Sequence, residues 1–145
     1  MDKQRITPIQ SPIPILPLIE EEMEPRMAKT VLQAWAAQHC CGEALRFLPG
    51  RELGADIGGR KYRFQCQKYT GGQNTYGFRV ESLAVVDWVL LFREAPEGEG
   101  RYQVYCCPPE DILGGKTSGR RVISPDFSGA DTVQLPWSGG KHDGF

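Results

Sequence analysis

The residues of this chain best placed to do chemistry gather between positions 46 and 79. Arg46, Arg51, Arg60, Lys61, Arg63, Lys68 and Arg79 stand there against only Glu52 and Asp56. Cations grouped in this way can face phosphates, or they can form the solvated face of a hairpin. The net charge of −1 hides this stretch, because acidic residues at 20–24 offset it. Five cysteines form a second candidate group: Cys40, Cys41, Cys66, Cys106 and Cys107. No CxxC or other zinc spacing occurs among them. Vicinal cysteines strain the peptide when they bond to each other. Free thiols in a reducing cytoplasm are therefore expected, each a small buried apolar residue; a metal shared by the two vicinal pairs and His39 is the rival reading.

Other chemistries find little support. His39 and His142 have no serine or cysteine partner at a recognisable spacing, which argues against nucleophilic catalysis. The segment Gly71-Gly72-Gln73-Asn74 lacks the Gly-Lys-Ser/Thr ending of a phosphate-binding loop. No apolar run approaches the ~18 residues a membrane-spanning helix needs, so no membrane contact is expected. Lys3 and Arg5 are followed by a stretch punctuated with prolines, and no secretory leader is expected.

The elements that must position these residues follow from pattern. The 145 residues, with 17 Gly and 11 Pro, suit one globular domain rich in turns. Residues 1–22 contain Pro8, Pro12, Pro14 and Pro17 and read as an extended arm. The arm is apolar from Ile13 to Ile19, and a homo-oligomeric contact is expected there. A core follows at 23–113, then a tail rich in Gly, Ser and Pro at 114–145, expected to pack on or near the core. Residues 20–41 predict a helix whose regular part begins at Glu24 or Pro25. Its apolar stripe is Met27, Val31, Leu32, Ala34 and Trp35, and Gly42 stops it. Strands are expected at Ala44–Leu48, Leu53–Ile57 and Lys61–Lys68, with a two-residue turn at Gly58-Gly59. On Lys61–Lys68, Tyr62, Phe64 and Cys66 share one face, and Arg63, Gln65 and Gln67 the other. Thr75–Val80 is a strand or loop. Val85–Arg93 is a buried strand, Tyr102–Cys107 its hairpin partner, and Pro109–Leu113 one helical turn. Asp87 inside the apolar run needs a partner, for which Arg63 or Arg79 is expected. The fold class is α+β, with the N-terminal helix packed on a central mixed sheet.

This order, with the text FLPGRELGADIGGRKYRFQCQK, resembles the restriction-endonuclease-like PD-(D/E)xK nuclease superfamily, and within it the small intron-encoded homing endonucleases. Phe64-Gln65-Cys66-Gln67-Lys68 stands where that family carries its Gln-Val-Lys segment. Val86-Asp87-Trp88 and Tyr102–Pro108 resemble its later strands. The likeness covers Met23 to Pro108. It implies a restriction-endonuclease-like sheet and a Mg²⁺-dependent endonuclease acting on DNA, or a non-catalytic nucleic-acid-binding or protein-interaction module on the same scaffold. Asp56, nine positions before Gln65, is then the metal-binding acid, with Glu52, thirteen positions before it, as rival. Gln65 would be the second metal ligand through its amide oxygen. Gln67 or Lys68 would stand in for the motif lysine, Lys68 only if a bulge turns it onto the face of Gln65. Arg60, Lys61 and Arg63 would hold the DNA backbone. Cutting both strands implies two sites, hence an oligomer.

Overall fold

The computed structural model describes residues 24–136. The expected arm at 1–22, the oligomeric contact assigned to it, Trp137 and His142 lie outside the described residues. Helix α1 (Pro25–His39) starts on a proline, whose fixed φ and missing N–H are harmless in a first turn. Ala28, Val31, Leu32, Trp35 and Ala36 are its buried residues, the three-and-four spacing of a single helical face.

Strands β1 (Leu45–Phe47), β2 (Gly54–Ile57) and β3 (Arg60–Gln67) form an antiparallel meander. Gly58 and Gly59 take φ of +61° and +90°, the left-handed conformations that a two-residue hairpin turn requires. After β3 the chain passes through β4 (Tyr76–Arg79) and one 3₁₀ turn (Val80–Leu83) before β5 (Trp88–Glu94). Strand β5 pairs parallel with β3, and a parallel pairing needs a crossover of this kind. Strand β6 (Arg101–Cys107) returns antiparallel to β5, and helix α2 (Pro109–Leu113) follows.

The tail is less irregular than its composition suggests. It supplies β7 (Arg120–Ile123), which pairs with β4, and β8 (Asp131–Gln134), which pairs with β6. The result is an α+β fold: α1 on a mixed six-stranded sheet ordered β1-β2-β3-β5-β6-β8, with a separate two-stranded sheet of β4 and β7. No helix among the described residues is long and apolar enough to cross a membrane.

The sheet separates two cores. Against α1 lie Ala55, Ile57, Tyr62, Phe64, Cys66, Leu90, Phe92, Tyr102, Val104 and Val133. Behind the sheet Tyr76, Phe78, Leu83, Val89, Leu91, Cys107, Ile112 and Phe127 form the second cluster. Val89 to Phe92 are fully buried because β5 is covered on both faces. Alternation also parts the cysteines, since Cys66 and Cys107 are buried in opposite cores while Cys41 and Cys106 are exposed.

The expected strand at Val85–Arg93 is corrected at its start. Strand β5 begins at Trp88, and Asp87 is exposed. Its partner is not an arginine. The Asp87 carboxylate accepts from the Lys61 N–H at 2.8 Å while its own N–H donates to the Lys61 carbonyl at 2.8 Å. Asp87 thus closes the end of the β3–β5 ladder.

Candidate nucleic-acid interface

A cavity of about 400 Å³ opens between the start of α1, β3, the loop before β2 and the small sheet. Its walls include Lys29, Arg51, Glu52, Arg63, Gln65, Gly77, Arg79 and Arg120. A shallower hollow of about 290 Å³ shares Arg51, Glu52, Arg63 and Arg79 with it and extends to Ser82. Five cations therefore surround one carboxylate.

Arg63 forms the floor. Gly54 is its cross-strand partner, and a Cβ there would sit 3.2 Å from Arg63 Nη1, so the glycine leaves room for the guanidinium to fold back over β2. Nη1 donates to the Leu53 carbonyl at 3.2 Å and Nη2 to the Ser82 carbonyl at 3.0 Å. Nε is buried and makes no hydrogen bond. Burial pulls the Arg63 pKa below its ordinary value, and the Glu52 charge partly opposes this. Glu52 Oε1 is 3.9 Å from Arg63 Nε, and Oε2 is 4.0 Å from Arg79 Nε. Lys29 enters from α1 with its Nζ 5.2 Å from the centre of the Phe47 ring. Gln65 donates its Nε2 to the Gly77 carbonyl at 2.8 Å, which moors β4 to the sheet.

The other residues expected at a site are placed elsewhere. Asp56 pairs in register with Lys61, so Gln65 is four residues further along β3, about 13 Å away at strand spacing. Asp56 Oδ1 accepts from the Gly59 N–H at 3.0 Å, and Oδ2 is 3.8 Å from Arg46 and 3.9 Å from Lys61. It acts as the turn acid of the hairpin. Glu52, two residues before β2, lines the same cavity as Gln65. Gln67 is buried and spent on structure: its Nε2 donates to the Thr75 carbonyl at 2.8 Å and its Oε1 accepts from Asn74 Nδ2 at 2.7 Å. The β3–β5 register runs unbroken to Gln67 opposite Arg93. No bulge therefore turns Lys68 onto the cleft face, and Lys68 is exposed beyond the strand end. Lys61 stays at the hairpin. Arg60, exposed at the hairpin end, lies two residues before Tyr62 and so on the α1-facing side of β3.

Three cleft cations, Arg51, Arg63 and Arg79, belong to the basic stretch of the sequence. Lys29 and Arg120 come from α1 and β7, and no local pattern ties them to it. Mg²⁺ is usually held by one or two carboxylates beside waters and substrate phosphates; the cleft offers one carboxylate, flanked by two guanidiniums, while Asp56 is engaged in its own turn. What the arrangement can do is attract and hold an anion with several oxygens.

Comparison of the chain with protein-family models, curated proteins and solved structures finds no match.

Proposed function

We propose that this protein is a non-catalytic nucleic-acid-binding module whose contact surface is the cleft between β3 and the small sheet. One observation carries the reading: Lys29, Arg51, Arg63, Arg79 and Arg120 converge on one cavity that holds a single carboxylate. Such a field concentrates phosphates, and guanidiniums match phosphate oxygens in pairs. The contacts are to the backbone, so binding is tolerant of sequence.

Fluorescence anisotropy with labelled single-stranded and duplex DNA tests this. About four phosphate contacts, each adding ~0.9 to the salt slope, weaken duplex binding roughly a hundredfold between about 50 and 200 mM salt. Replacing the exposed Arg51 and Arg79 together by Gln removes about two contacts from that slope. Binding that is absent, or indifferent to salt and to these substitutions, overturns the proposal.

A second reading, metal-dependent DNA hydrolysis, is supported by Glu52 and Gln65 lining one cavity and by the order of helix, hairpin and strand. Plasmid incubated with Mg²⁺ or Mn²⁺ decides between them. Nicking that disappears in Glu52→Gln establishes hydrolysis; a mobility shift with intact plasmid supports the binding module.

A further inference from the structure

Strands β4 and β7 place Arg79 and Arg120 directly opposite each other. Like charges in that position repel and weaken a two-stranded sheet. Both nevertheless turn to the same cavity. Among the described residues, the Arg79 guanidinium has Glu52 as its one ion-pair partner, at 4.0 Å, and no residue forms an ion pair or hydrogen bond with the Arg120 guanidinium.

Gly77 explains how Arg120 reaches the cavity. It lies two residues before Arg79, on the same face of β4. A Cβ at Gly77 would overlap Arg120 Nη2, so the guanidinium occupies the space a side chain would fill. The Gly77 carbonyl is held by Gln65 Nε2, which fixes the strand under the arginine. Gly77 has no left-handed φ that would call for glycine; the need is for space alone.

We propose that Arg79 and Arg120 form a two-armed clamp for one phosphate group, and that Gly77 is the positioning residue that lets Arg120 lie across β4 into the cleft. An oxyanion between the two guanidiniums converts their repulsion into two charge-assisted contacts. The inference deepens the nucleic-acid reading and rests on it for the source of the phosphate. The chemistry itself is shared by a strand backbone and a free phosphate.

The test uses the full chain with Gly77→Ala, Arg120→Gln, Arg79→Gln and the Gly77→Ala/Arg120→Gln double variant. Anisotropy with a labelled oligonucleotide gives affinity and salt slope. Thermal melting with and without inorganic phosphate gives the free-anion arm. Each single variant is expected to lose about tenfold in affinity, the scale of one hydrogen-bonded charge, and about one phosphate from the salt slope. The double variant should bind no worse than Arg120→Gln, because the methyl acts only through Arg120. Arg120→Gln should melt no lower than the parent without phosphate, since it removes a repulsion. Additive losses in the double variant, or an unchanged salt slope in Gly77→Ala, overturn the positioning role. If Gly77→Ala does not fold, Arg120 is not the part that yields, and that role is overturned too.

The free-anion arm separates the two failures. A parent protein that binds no oligonucleotide refutes the nucleic-acid reading. The clamp then stands if inorganic phosphate raises the parent's melting temperature but not that of Arg79→Gln or Arg120→Gln. It falls if phosphate raises none of them or all equally.

Discussion

The Glu52 carboxylate stands between the Arg63 and Arg79 guanidiniums, 3.9 Å from one Nε and 4.0 Å from the other. It occupies the side of the cleft where an incoming phosphate would meet those groups. In a binding module it is a competitor; in a hydrolase it would be indispensable.

Glu52→Gln therefore tightens oligonucleotide binding by about two- to fivefold, the range of one partly screened ion pair. Asp56→Asn, at the hairpin and outside the cleft, leaves affinity unchanged and costs about 0.5–1 kcal/mol through a weakened turn hydrogen bond. Anisotropy and urea melts on the two variants check both statements. Weaker binding by Glu52→Gln contradicts its role as a competitor, and an Asp56→Asn variant that loses affinity would move the site back to the hairpin.

Gln67 is read as structural. Gln67→Leu removes the donor to the Thr75 carbonyl at 2.8 Å and one of the acceptors of the Asn74 amide at 2.7 Å, which keeps its bond to the Lys68 carbonyl at 2.9 Å. The expected cost is about 1–3 kcal/mol. Lys68→Ala, exposed beyond the strand, should stay within about 0.5 kcal/mol of the parent. Chemical denaturation measures both. A Gln67→Leu variant of full stability but reduced nucleic-acid affinity would return Gln67 to the site.

Alkaline pH should destabilise the protein. Burial, with help from Asp111 and Cys106, pushes the Cys107 thiol from its ordinary 9.0 up to about 11. Burial moves Cys66, Tyr76 and Tyr102 the same way. Above about pH 9 the unfolded thiol loses its proton while the folded one keeps it, so the unfolded state gains. The contribution is whole below that pH and lost as pH rises through about 11. Urea midpoints across this window should fall for the parent and fall less steeply for Cys107→Ala. A flat profile contradicts the assignment.

Much of the fold is legible in the chain because local rules and tertiary packing agree there. The apolar spacing of α1 matches a helix on a sheet, Gly58-Gly59 demands a turn, and the alternation of β3 separates Tyr62, Phe64 and Cys66 from Arg63, Gln65 and Gln67. The tail was harder to read. Strands β7 and β8 are short, and each is stable only against a partner distant in the chain, so their own residues carry little sign of them. An acid in an apolar run suggests a buried charge pair, but β5 begins one residue after Asp87, whose exposed carboxylate accepts from a backbone N–H.

The sequence by itself determined the α+β class, the face on which Arg63 and Gln65 lie, and the local excess of positive charge. These depend on side-chain period and composition, which are properties of neighbouring residues. Only the tertiary structure decided which charges act together. It left Asp56 in its turn and brought Glu52 and Gln65 to one cavity. It brought Lys29 from the helix and Arg120 from the tail to the same cavity, where the bare backbone of Gly77 gives Arg120 its path. Residues 77 and 120 meet because β4 and β7 pair across the whole of β5 and β6, a contact that no local pattern encodes.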